Sequence, residues 1–208
     1  MQTAYRCEGP PPQWRLGAAY GLTATDLRID RRRIDVVQHA VSASLRRTLK
    51  SGWNLGGGVG VLAAGELVFE GRRHTYRPGG TASFSASREL LGDTVEHMFL
   101  TTTWAAAVTL VPTRSPFGDP GFYAAIDFSF GTAVGMTIGN VWSPYFAARV
   151  FGGPVWFTAV DRSAPGHDPD HHSMGVGSVF TLPRNFELGI DVAVIGARGV
   201  TAQGGVNF

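Results

Sequence analysis

The sequence predicts an all-β chain folded as a closed, antiparallel, up-and-down transmembrane β-barrel of about ten strands, with eight as the alternative. Three observations carry the prediction. Apolar residues recur every second position through most of the chain. The opposite face of each strand is built mostly from Gly, Ala, Ser and Thr, where a soluble sheet would carry Lys, Glu and Arg. Connections alternate between tight turns and long charged stretches. Composition agrees: only 16% of the 208 residues are charged, against about 25% in an ordinary soluble domain. The 44% apolar content excludes a disordered chain, and the 28 glycines keep no collagen-like three-residue period. One domain over residues 13–208 follows, preceded by a Pro-rich tail over 1–12.

The first strand sets Trp14, Leu16, Ala18, Tyr20 and Leu22 against Arg15, Gly17, Ala19, Gly21 and Thr23. The second sets Val37, Val41, Ala43 and Leu45 against Gln38, Ala40, Ser42, Ser44 and Arg46. The third sets Trp53, Leu55, Val59, Val61, Leu67 and Phe69 against Asn54, Gly56, Gly58, Gly60 and Glu66. A shorter fourth sets Phe84 between Ala82 and Ala86 against Thr81, Ser83, Ser85 and Ser87. The fifth runs through Met98, Leu100, Trp104, Val108 and Leu110. In the sixth, Phe122 to Ile138, nine consecutive alternations favour a strand over a helix, although Phe128 to Ala148 carries no charge and spaces Gly131, Gly135 and Gly139 by four. The seventh, around Trp142 to Val160, changes phase near Gly152, Gly153 and Pro154, where a bulge is expected. The last three centre on Met174 to Leu182, Phe186 to Val194 and Val200 to Phe208.

Large side chains on one face and small ones on the other fit lipid outside and a narrow lumen inside. A soluble ligand-binding barrel with the large residues inward is the alternative. Arg15, Arg46, Glu66, Asp127, Arg149, Glu187 and Asp191 share the lumen parity and are expected to pair there. Trp14, Trp53, Trp142, Phe186 and Phe208 fall at the short-turn ends of their strands, as an interfacial aromatic girdle would. The short turns are Lys50 to Gly52, Gly92-Asp93, Gly139-Asn140 and Pro183 to Asn185, and a short last connection, Gly196 to Gly199, closes the set at the other end. Asp26 to Asp35, Glu70 to Gly80, Pro112 to Gly121 and Asp161 to Ser173 read as long loops. Ten strands leave a constricted interior, widened by inward glycines such as Gly56, Gly58 and Gly177.

A formal charge of +2 with one lysine and scattered arginines gives no basic recognition element, so nucleic acid is not an expected partner. The single Cys7 excludes an internal disulfide, and no Cys/His spacing fits zinc. The start, MQTAYRCEGPPPQW, lacks a signal-peptide pattern, so an exported protein would be present here in processed form.

With its alternating strands, alternating connections and a final segment GVTAQGGVNF ending in Phe208, the chain resembles small bacterial outer-membrane β-barrel proteins over about residues 13 to 208. The resemblance is architectural. It implies outer-membrane residence, with the lipid bilayer and lipopolysaccharide as partners. Arg28, Arg31, Arg32, Arg33, Arg72, Arg73 and Arg77 are available to lipopolysaccharide phosphates. Other envelope proteins are expected to engage the N-terminal tail or the long loops.

No catalytic pattern is decisive, and a non-enzymatic narrow pore or membrane-anchored scaffold is the expectation, without cofactor. The alternative is an outer-membrane hydrolase acting on lipid or peptide. It would draw on His39, His74, His97, His167, His171, His172, Ser173, Asp168 and Asp170. The adjacent His172-Ser173 pair lacks the one-residue spacing of the His-x-Ser pattern in outer-membrane lipid deacylases. His167, His171 and His172 are weak metal-ligand candidates, on a stretch with Pro and Gly to loosen its geometry.

Overall fold

The computed structural model describes residues 14–29, 32–69, 72–91, 98–159, 162–168 and 171–208. Antiparallel strands form one closed sheet: β1 (Trp14–Ile29), β2 (Arg32–Thr48), β3 (Trp53–Phe69), β4 (Arg72–Tyr76), β5 (Gly79–Leu91), β6 (Met98–Arg114) and β7 (Pro120–Met136). These are followed by β8 (Trp142–Gly152), β9 (Pro154–Ala159), β10 (Arg162–His167), β11 (His172–Leu182), β12 (Phe186–Gly196) and β13 (Arg198–Asn207). The tail with Cys7, together with Arg31, His97, Asp170 and the Gly92-Asp93 turn, lies outside the described residues.

Two rings share this wall. At the short-turn end ten strands close in the order β1-β2-β3-β5-β6-β7-β8-β11-β12-β13, with β13 paired back onto β1 from Arg15↔Asn207 to Ala24↔Arg198. At the other end β4, β9 and β10 take the places of β5, β8 and β11. There β10 pairs directly with β1 at Arg28↔His167 and Ile29↔Gly166, leaving eight strands. The two strands that drop out, β12 and β13, are 11 and 10 residues long, about what crosses a hydrocarbon core. β1, β2, β3, β6 and β7 have 16 or 17 residues and continue past it.

The side-chain pattern inverts along that extension. Through the ten-stranded part Leu16, Val59, Phe84, Phe128, Val176 and Leu188 point outward and stay exposed in the isolated chain, as a lipid-facing belt requires. In the eight-stranded part Leu27, Ile34, Val36, Leu67, Val111 and Phe157 point inward and are buried together. Asp26 and Asp35 lie opposite one another on the outer face of the same hairpin. A wall that leaves lipid for water must exchange its faces, so the upper ring is packed like a small soluble barrel. We call it the cap.

Several sequence expectations are corrected here. The charged stretches read as long loops are mostly strand: β1 and β2 run through Asp26–Asp35 as far as Ile29 and Arg32, and β4 and β10 occupy much of the second and fourth stretches. Alternating charge looked like loop because these strands face water. The bulge expected near Gly153 does not shift the register, since Ser129↔Phe151 and Ala125↔Val155 continue one series. The phase change in the sequence marks the passage from lumen to cap. A bulge sits instead in β3, where His39↔Ala64 is followed by Ala40↔Leu62 and Ala63 is the extra residue.

Tight turns hold the short end. Gly52, Gly139, Asn140, Arg184 and Asn185 have φ between +58° and +80°, the left-handed region that Gly and Asn enter at least cost. The first and last strands meet there, with reciprocal backbone hydrogen bonds between Trp14 and Phe208 at 3.0 and 2.9 Å.

Candidate functional site

The interior of the ten-stranded ring, beneath the cap, is lined largely by inward positions that are small, polar or charged. Nearest the short turns, the Arg15 guanidinium meets the Glu187 carboxylate at 3.0 Å, and Asn207 donates to the same carboxylate at 3.0 Å. Glu187 is only 3% exposed. Arg46 stands directly across from Arg15 and feels both that like charge and Glu187. One carboxylate thus pairs with one guanidinium and offsets the charge of a second in a space that water hardly reaches.

Deeper in, Asp191 accepts hydrogen bonds from the Tyr145 hydroxyl and, at 3.2 Å, from the Gln203 amide. The Tyr145 ring lies over Gly177, its cross-strand partner, at a place where any Cβ would overlap it. Phe99 uses Gly135 in the same way. The inward glycines therefore do not thin the wall into open space at these points; they are sockets for large side chains from neighbouring strands.

Closer to the cap, Asp127 accepts from the Gly152 backbone N–H and is drawn toward the Arg149 charge, while Arg149 lies 4.8 Å from the Phe151 ring centroid. Thr25 donates to Asp168 at 3.0 Å. A chamber of about 310 Å³ remains here, bordered by Thr23, Arg149, Ser173, Asp191 and Thr201. Above it the cap closes with Tyr76 stacked on Tyr123 at 5.8 Å and His74 edge-on to Phe157 at 5.2 Å.

Of the seven charges assigned to the lumen by parity, the structure places six on the inner face. Glu66 is the exception. The extra residue Ala63 turns it outward to pair with Arg73 at 3.1 Å, with 38% of its side chain exposed, and puts Leu67 inside at 0%. Asp168, expected in a solvated loop, is instead buried under the cap. Tyr145, Gln203, Asn207 and Thr25 were missed, although each lies on the inward parity of its strand. Neutral hydrogen-bonding side chains give no sequence contrast against Ser and Thr.

Among the described residues the histidines are spread over several places. His39 faces outward and bonds the Tyr20 hydroxyl at 2.7 Å, whereas His74 faces the cap interior. The His167 and His171 rings stack at 6.3 Å, and His171 Nδ1 lies 3.3 Å from the Phe151 carbonyl oxygen. His172 is exposed at the start of β11. Among the described residues no cluster of three or more His, Cys, Asp or Glu could hold a metal ion. All five residues assigned to a girdle stand at the short-turn end. Trp142 is stacked on Phe180 and donates to Ser178 at 2.6 Å, and Trp53 lies 5.5 Å from Trp104.

The placement of Glu66 and Asp127 gives a direct test. Glu66→Ala is expected to change unfolding free energy by less than about 1 kcal/mol, as for an exposed ion pair. Asp127→Ala, which removes an interior carboxylate that accepts from the Gly152 N–H and feels the Arg149 charge, is expected to cost clearly more in urea unfolding from lipid vesicles. Equal losses would contradict the assigned faces.

No protein-family model matches the chain, and no curated relative does. Solved structures do resemble it. The outer membrane protease OmpT from Escherichia coli superposes with a TM-score of 0.60 at 9% identity, over 95% of this chain and 97% of that one. The translocator domain of the autotransporter NalP from Neisseria meningitidis gives 0.54 at 8% identity, over 97% and 90%. The β domain of the Bordetella autotransporter BrkA gives 0.50 at 14%, over 95% and 100%. At such identities the likeness concerns architecture alone. Together with the lipid-facing belt and the closed strand order, it shows that the chain has the transmembrane β-barrel fold of bacterial outer-membrane proteins.

Proposed function

We propose that the protein is an integral outer-membrane barrel with an occluded lumen that serves as a membrane-anchored scaffold in a cell-envelope assembly. The observation that carries this reading is the filled cap. Leu27, Ile34, Leu67, Tyr123 and Phe157 are buried together inside the eight-stranded ring, and a close-packed core of this kind does not admit a column of water. The other end supports it, because the Arg15–Glu187 pair, Phe99 and Val179 occupy the lumen beside the short turns. A barrel that does not conduct acts through its surfaces. Short turns face the periplasm in such barrels, so the cap stands on the outside with Asp26, Asp35, Glu66 and Arg73 on its water-facing wall. Lipopolysaccharide phosphates and envelope proteins are the partners in this reading, the proteins engaging either the cap hairpins or the N-terminal tail.

The experiment is conductance in planar bilayers, combined with co-purification from native membranes. Purified protein is expected to leave the bilayer at its closed baseline. Envelope proteins are expected to co-purify with the full chain and to be lost when residues 1–12 or the cap hairpins are deleted. Steady conductance of the size of a general porin would overturn the reading.

A further inference from the structure

The belt is uneven at the short-turn end. Across β1, β2, β3 and β5 the outward positions near this end carry two guanidiniums, each resting on an indole. Arg47 lies 5.1 Å from the Trp14 ring centroid, and Arg88 lies 5.8 Å from that of Trp53. The backbone register fixes both pairs, because Trp14↔Arg47 and Trp53↔Arg88 are direct cross-strand neighbours. Trp53 is in turn held against Trp104. A ring beneath the cation limits where the guanidinium can go, and an indole face suits it best.

Directly above these cations the outer wall is hollowed. Gly57 lies between Leu45 and Phe84 in one cross-strand row, and Val59 lies between Ala43 and Ala82 in the next. The absent side chain at Gly57 and the short ones at Ala43 and Ala82 leave a groove of about 750 Å³, with Trp14 as its lower wall. Trp14 therefore borders the apolar groove and also carries Arg47. An apolar groove with two cations just beyond its lower wall has the form of an amphiphile with a chain at one end and an anion at the other.

We propose that this face binds a phospholipid with a net negative headgroup. One acyl chain lies in the groove over Gly57, and the headgroup phosphate lies at the level of Arg47 and Arg88. The depth is right for the phospholipid leaflet, because the site is at the short-turn end. The inference stands apart from the scaffold reading, since it depends only on the belt and its two cations.

The test uses the full-length protein in phosphatidylcholine vesicles containing increasing fractions of brominated phosphatidylglycerol or brominated phosphatidylcholine. Bromine quenches tryptophan fluorescence at contact. In a Trp142→Phe, Trp156→Phe background three indoles remain: Trp14 lines the groove, Trp53 carries Arg88, and Trp104 lies behind Trp53. Phosphatidylglycerol is expected to be preferred by about fivefold, and Arg47→Gln with Arg88→Gln is expected to bring the ratio to about one. Arg184→Gln, which removes a cation from the turn between β11 and β12 at the same end, is expected to leave it unchanged. If the background variant does not fold, retention of phosphatidylglycerol over phosphatidylcholine by the otherwise wild-type protein in native mass spectrometry reads the same ratio. Three results would overturn the proposal: equal quenching by both lipids, a preference that survives the double substitution, or one that Arg184→Gln abolishes equally.

Discussion

Phe157→Ala is expected to destabilise the barrel by about 3–5 kcal/mol, the loss typical of an aromatic removed from a close-packed core. Phe157 is 1% exposed and meets His74 at its ring edge, inside a ring of eight strands whose hydrogen-bonded backbone cannot collapse to refill the space. The cap projects from the lipid, so its packing follows the rules of soluble cores and the bilayer does not stand in for lost contacts. Phe117→Ala supplies the control: Phe117 is 76% exposed, in the turn that Ser115 closes onto Asp119. It is expected to change stability by no more than about 0.5 kcal/mol. Urea titration from lipid vesicles measures both, and a loss below about 1 kcal/mol for Phe157→Ala would mean that the cap is not packed as described.

Glu187→Ala is expected to have an effect of similar size, about 3–5 kcal/mol, for a different reason. Removing one member of a buried ionic set costs more than the set contributes, because what remains is worse than what was there before. Here Arg15 and Arg46 would face each other across neighbouring strands with no carboxylate between them. Glu187→Gln is expected to be nearly as costly, since the amide can still accept from Asn207 but cancels no charge. Combining Glu187→Gln with Arg15→Met is expected to recover part of the loss. If the double substitution is no better than Glu187→Gln alone, the cost is steric and not ionic.

Much of the lower barrel was legible because alternation of large against small side chains is strong there, and β7 shows it without a break from Phe128 to Met136. The cap was not legible in the same way. Period-two alternation tells which residues share a face, but not whether that face meets lipid, water or packed side chains. Leu67 was placed outside because it is apolar, and Glu66 inside because it opposes it. A single residue, Ala63, exchanged the two, and nothing in AAGELVF announces a bulge. Val155 and Phe157 are inward on the same register as Phe151, yet beside outward Phe146 and Val150 they read as a slip in phase. The lumen charges were legible as inward positions. Their pairing into Arg15–Glu187 and Tyr145–Asp191 was not, because it joins residues of different strands at heights that only the register sets.

The sharing of β1 between two partners bears on how such a wall can be assembled in time. One edge of β1 is divided: its far end belongs to β10, and the rest belongs to β13. The eight-stranded ring needs nothing beyond β10, so it can shut once the chain as far as His167 has been delivered. In that order of closure the β12–β13 hairpin would enter as a wedge between β11 and the lower part of β1, where it widens the circumference by two strands. Each closure joins segments far apart in sequence, the kind of contact that forms late and slowly. Dividing one seam between two events means that neither must zip the whole length of β1, and the cap, once shut, would hold the lower gap at a fixed width for the hairpin still to come.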